Sequence, residues 1–203
     1  MFLLRLFLIL FILTSIASLQ SCVSTPSHAA NACEVFSQKY FWFKAAKKSS
    51  KKWKVPIATL MSVINQESAY KQYAKPPRKK LFGFIPLLTR ESSSLGYSQA
   101  TKGTWEQYKK ETGNKYATRA RFKDSVDFIG WYVNKSHKLL KIPKNDAYRL
   151  YLSYYLGWGN YKNYSKDKKA IIYAKRVRDT ASMYRKQLTL CQDQLNRKKY
   201  IIY

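Results

Sequence analysis

Glu67 is the residue in this chain best placed to do acid–base chemistry. It follows Pro56-Ile57-Ala58-Thr59-Leu60-Met61-Ser62-Val63-Ile64, in which Ile57, Leu60, Met61 and Ile64 recur at the spacing of one helix face. Pro56 suits the first turn, where its missing N–H costs nothing. Three residues past Ile64, the same apolar stripe reaches Glu67. A carboxylate there is disfavoured as an anion by desolvation and by the negative end of the helix dipole. Both effects raise its pKa towards the range of a general acid working near neutrality. The competing reading is a helix that frays before Glu67 and leaves the side chain in water.

Other catalytic schemes lack material. The chain has two histidines, His28 and His137, far apart in sequence, so metal clusters and Ser-His-Asp triads find no ligands. No glycine-rich phosphate loop occurs. Of the 11 acidic residues, most sit among lysines or at helix starts, where solvation or capping is the ordinary role. Three further clusters stand out. Leu95-Gly96-Tyr97-Ser98-Gln99 has small residues that let backbone approach a ligand. Tyr154-Tyr155-Leu156-Gly157-Trp158-Gly159-Asn160-Tyr161 supplies aromatic faces and hydroxyls suited to sugars. Tyr173, on an apolar stripe, needs a hydroxyl partner when buried. Taken singly, each also reads as turn or core.

In this order the clusters resemble the soluble-type lytic transglycosylases, relatives of goose-type lysozyme. Glu67-Ser68 is similar to their Glu-Ser motif at a helix end. Gly96-Tyr97-Ser98-Gln99 resembles their Gly-Leu-Met-Gln motif and is followed, as there, by a Thr-Trp pair, Thr104-Trp105. Ser153-Tyr154-Tyr155-Leu156-Gly157 resembles Ala-Tyr-Asn-x-Gly, and Tyr173 ahead of Arg176-Val177 matches the late helical tyrosine. The resemblance spans roughly Trp53 to Tyr184. Ser98 departs from the usual methionine and Tyr155 from the usual asparagine, which touches substrate detail more than reaction class.

The resemblance implies an all-α, lysozyme-like bundle that cleaves the β-1,4 bond between N-acetylmuramic acid and N-acetylglucosamine in peptidoglycan strands. Glu67 would act as both acid and base, closing a 1,6-anhydro ring. Tyr154 and Tyr173 would orient Glu67 or the acetamido group, while Ser68, Gly96, Gln99 and Gly157 would shape the saccharide subsites. No metal or organic cofactor is required. Two rivals stand beside this reading. A hydrolytic muramidase needs a base for water, and Glu91 and Glu106 are the nearest carboxylates in sequence. A wall-binding lipoprotein that no longer turns over is the second.

The elements that must position these groups read as about six helices: Glu34 to Lys48 (Phe36, Tyr40 and Phe43 on one face), Pro56 to Glu67, Thr101 to Lys110, Asp124 to Leu140, Asn145 to Leu156, and Asp167 to Leu190. Gly113 is a C-terminal cap for the third and Asp124 an N-cap for the fourth. No convincing strand alternation is present. Lys75 to Ser94, proline-punctuated with an apolar centre at Leu81 to Leu88, is a long insertion that suits a lid, a membrane or partner surface, or a packed crossover.

Residues 1–21 resemble a lipoprotein signal peptide. Met1 to Leu13 is apolar but for Arg5, and Leu19-Gln20-Ser21-Cys22 resembles a lipobox with Cys22 as the lipidated residue. Ordinary cleavage near Ala29 or Ala30 is the alternative. Of the three cysteines, lipidation would remove Cys22, leaving Cys33 and Cys191 to pair across the fold or to remain separate buried thiols. Residues 22–32 then form a tether, 33–191 a single domain and 192–203 a basic tail. The 38 basic and 11 acidic residues, net charge +27, attract polyanions. Export argues against nucleic acid. The available partners are peptidoglycan and an anionic envelope surface, lipid or lipopolysaccharide. The expectation is a monomer anchored on the periplasmic side of the outer membrane, with a soluble periplasmic form as alternative.

Overall fold

The computed structural model describes residues 25–197. Cys22, the leader and the last residues of the basic tail lie outside the described residues. The chain is mainly helical: α1 Ala32–Gln38, α2 Tyr40–Trp53, α3 Ile57–Ser68, α4 Lys102–Thr112, α5 Phe122–Leu140, α6 Ala147–Leu156 and α7 Lys168–Arg197, with a 3-10 turn at Tyr161–Lys166. A two-stranded antiparallel hairpin, β1 Arg78–Leu81 and β2 Ile85–Arg90, interrupts the helices. No helix among the described residues is long and apolar enough to cross a membrane.

Helix α3 is the centre of the bundle. From Ala58 to Ile64 every side chain is buried, so the helix is enclosed on all sides rather than along one stripe. It packs most extensively on α7, and α2 and α5 complete the enclosure. Pro56 is the N-cap, just outside the first turn, and Ala69 ends the helix in the left-handed conformation. Helix α7 also gathers α1 and α6, which makes it the spine on which both ends of the chain close. There Cys33 and Cys191 are joined by a disulfide, their Cα atoms 6.0 Å apart. Gln187 accepts from the Ala32 N–H, and the Tyr184 hydroxyl donates to the Ala29 carbonyl, so the end of the tether lies against α7.

Several boundaries differ from the sequence reading. The first expected helix is two: Lys39 leaves helical geometry (φ −126°, ψ 65°) and the chain bends there. The periodicity survives the bend because Phe36, Tyr40 and Phe43 all still face the core, with Phe36 and Phe43 5.3 Å apart. Asp124 is not an N-cap. It lies inside the first turn of α5, buried, and accepts from the Thr118 N–H (2.9 Å) and Arg121 Nε (2.6 Å). Helix α7 continues beyond Leu190 to Arg197, carrying buried Leu195 and drawing the start of the basic tail into the fold. The insertion contains strands where none was expected. Its strands are almost wholly exposed on both faces, so no alternation of apolar and polar residues marks them.

Two close approaches hold the frame. A Cβ on Gly130 would lie 2.4 Å from the Trp53 ring, so α5 and α2 touch where only glycine fits. Asp127, one turn earlier on α5, accepts from Trp53 Nε1 and the Tyr108 hydroxyl, both at 2.8 Å, and pairs with Lys52 at 2.9 Å. One carboxylate thus ties α2, α4 and α5 together.

Candidate active site

Glu67 stands in the last turn of α3, where the enclosed part of the helix ends and its side chain is half-buried. Most of the acidic side chains face a cation or a helix N-terminus. Glu67 has neither. Its partner is a phenol: the Tyr151 hydroxyl donates to Glu67 Oε1 at 2.7 Å. Burial pushes the carboxyl from 4.5 up to about 7, against the opposing pull of the Tyr151 hydrogen bond. Burial also raises the Tyr151 and Tyr154 phenols, and the Glu67 charge beside them raises both further. No second carboxylate is among the groups that set the acidity of Glu67.

Helix α6 brings the phenols. Tyr151, Tyr154 and Tyr155 follow one another along it, with the Tyr151 and Tyr154 rings stacked at 6.3 Å and Tyr155 edge-on to Tyr173 of α7 at 5.7 Å. Tyr154 and Tyr155 also line a cleft of about 250 Å³ with Gln99, Thr104, Tyr132 and Gly157. Glu67 lines neither this cleft nor a larger hollow of about 670 Å³ around Trp42, Tyr73 and Phe122.

The turn Gly96–Gln99 forms the opposite wall. Gly96 has φ +77°, and a Cβ there would sit 2.0 Å from the Arg119 carbonyl oxygen. Only glycine allows this contact. Gln99 Nε2 donates to the carbonyls of Ala74 and Gly96, both at 2.8 Å, and so ties the turn to the segment leaving α3. The Tyr154 hydroxyl donates to the Ser98 carbonyl at 2.6 Å, joining this wall to α6. The Ser98 hydroxyl is buried and finds no hydrogen-bond partner among the described residues.

A family model described as Transglycosylase SLT domain matches residues 9–191. The chain belongs to this family. No curated protein and no solved structure matches it. Membership points to a transglycosylase acting on peptidoglycan, and the disulfide agrees with a location outside the cytoplasm.

Within this SLT domain, Gln99, Tyr154 and Gly157 line the cleft, Glu67 meets α6 through Tyr151, and Tyr173 meets it through Tyr155, so their tasks differ. Ser68 turns inward and donates to the Ile64 carbonyl at 3.1 Å, a bond within its own helix. Gln99 and Gly96 build the wall. Gly157 ends α6 at φ +78° with open space where a Cβ would be. The sequence reading gives the orienting role to Tyr154 and Tyr173, whereas the hydroxyl on Glu67 is that of Tyr151, which it passes over. The available signal was position: Tyr151 lies three residues before Tyr154, on the same face of one helix. His137 bonds the Ile142 carbonyl at the end of α5, and Glu106 pairs with Lys109 at 3.1 Å.

Proposed function

We propose that this SLT domain is a lytic transglycosylase in which Glu67 serves in turn as acid and base. Protonated Glu67 donates to the glycosidic oxygen as the bond from muramyl C1 breaks and positive charge develops on the sugar ring. The resulting carboxylate takes the proton of the muramyl C6 hydroxyl, whose oxygen bonds to C1 and closes the 1,6-anhydro ring. Glu67 ends as it began, no water is consumed, and the second strand leaves with a free 4-hydroxyl. The observation that carries this reading is the half-buried carboxyl at the end of α3, raised to about 7 and held by a single phenol. A group with that pKa is still protonated in good part near neutral pH, so it can donate, and its conjugate base is basic enough to take the second proton.

Tyr151 keeps Oε1 in place, leaving Oε2 for the substrate. Tyr154, Tyr155 and Tyr173 offer ring faces and hydroxyls to the saccharide, and Gly157 leaves room for it beside the cleft. Cys22 is proposed as the lipid anchor that holds the domain at the periplasmic face of the outer membrane.

The test is digestion of sacculi by the parent and by Glu67→Gln, with mass analysis of the fragments. The parent should release anhydro ends, lighter by one water than reducing ends. The variant should lose at least the roughly 10²–10⁴-fold that a general acid contributes, while still binding sacculi. Reducing ends from the parent would identify a hydrolase. Activity of the variant within about tenfold of the parent would mean that another residue is the acid.

A further inference from the structure

Among the described residues, the hairpin is an element that the bundle leaves uncovered. Its strands pair through Arg78 with Arg90, Lys80 with Pro86 and Leu81 with Ile85, and neither strand packs substantially on any helix. At its tip Phe82 is 79 % exposed and Phe84 71 %, and Leu88 on β2 is 91 % exposed. An isolated two-stranded hairpin is marginal in water, and a contiguous apolar tip of this kind marks a contact surface. Arg78, Lys79 and Lys80 run along β1 from the base of the hairpin towards the tip, all exposed and none in an ion pair with a carboxylate among the described residues.

We propose that the hairpin docks on an anionic phospholipid surface. Phe82, Phe84 and Leu88 enter the interface, and Arg78, Lys79 and Lys80 meet the headgroup phosphates. Apolar insertion and charge attraction are the two contributions that bind a peripheral element to a bilayer, and both reside in this short segment. A second copy of the chain is disfavoured as occupant because it would bring the same cations against these. A glycan strand could stack on the two phenylalanine rings, but Leu88 has no ring face and none of the three has a hydrogen-bonding group for sugar hydroxyls, which disfavours it. The partner is therefore lipid, and the contact is independent of the reaction at Glu67.

The apolar leader can carry the full chain to vesicles unaided, so the test reads the surroundings of the tip itself. An environment-sensitive fluorophore is placed on Phe82→Cys in the full chain carrying Cys22→Ser; Cys33 and Cys191 are held in the disulfide and do not react. Phosphatidylcholine vesicles containing phosphatidylglycerol should brighten the label and shift it blue, and pure phosphatidylcholine should do so far less. The same label on exposed Lys138→Cys of α5 should remain in water. Adding Lys79→Gln and Lys80→Gln should weaken the response about 25-fold in vesicle concentration, about fivefold per charge. The proposal is overturned if residue 82 stays in water with both vesicle types or if the variant with both lysines replaced responds like the parent. A signal that instead follows added sacculi or rising protein concentration also overturns it, in favour of a glycan lid or self-association.

Discussion

Tyr151→Phe isolates the one polar contact among the described residues that restrains the Glu67 carboxyl. The substitution removes a hydroxyl donating at 2.7 Å to Oε1 and keeps the buried ring, so the packing of α6 on α7 and α5 is retained. A hydrogen bond to a charged group is worth about 1.5–3 kcal/mol, and one to a neutral carboxyl about 1 kcal/mol. Their difference is what moves the equilibrium: about 0.5–2 kcal/mol lost from the carboxylate, or roughly one pKa unit at 1.36 kcal/mol per unit. The Tyr151 bond lowers the Glu67 pKa, so losing it must raise that pKa above its value of about 7. Activity that requires protonated Glu67 declines as pH rises through this value. In Tyr151→Phe the alkaline limb of the pH–rate profile should therefore lie about one unit higher. Turbidity loss of sacculi between mildly acidic and mildly alkaline pH, at substrate below saturation, measures it. The maximal rate should also fall, because the carboxyl is less firmly oriented. An alkaline limb that stays in place, or moves to lower pH, would falsify the assignment of that limb to Glu67.

Glu67→Gln should stabilise the protein in a pH-dependent way. With a folded pKa of about 7 against 4.5 ordinarily, the parent loses stability as pH rises between those values. For this half-buried group the full loss is on the order of 2–3 kcal/mol. The variant should thus melt higher than the parent at pH 8 and about equally at pH 4. Gly96→Ala should destabilise by about 3 kcal/mol, combining the left-handed conformation with a methyl forced 2.0 Å from the Arg119 carbonyl, as urea unfolding would show. Cys33→Ser with Cys191→Ser opens a loop spanning 158 residues, for which loop entropy sets an upper bound of about 5 kcal/mol. Reversible denaturation of the doubly substituted chain should show a large drop that reductant does not deepen.

Much of the site is local and therefore legible in the chain itself. The spacing from Ile57 to Ile64 leads to Glu67 because a helix of known pitch carries the stripe forward without help from the rest of the fold. Gly113 ends α4 for the same reason, since a cap acts on its own turn, while Thr101, read as the first helical residue, proves to be the N-cap. Count and position of the cysteines make Cys33 and Cys191 candidates to pair once Cys22 is set aside, and the fold decides between that bond and two separate thiols by bringing their Cα atoms to 6.0 Å. Tertiary structure decided what depends on facing elements. Every turn of α6 carries a tyrosine or leucine, so only its rotation against α3 selects Tyr151 rather than Tyr154 for Glu67. Asp124 looks like a cap by residue type, yet it serves the Thr118 N–H and Arg121, which approach only after the preceding loop has folded back. The bend at Lys39 is invisible to periodicity because its flanking rings face the same core on either side. The hairpin lies at the other extreme. A strand shows itself in sequence when one face is buried, and these strands bury neither, so their pairing is fixed by backbone hydrogen bonds that no side-chain pattern records.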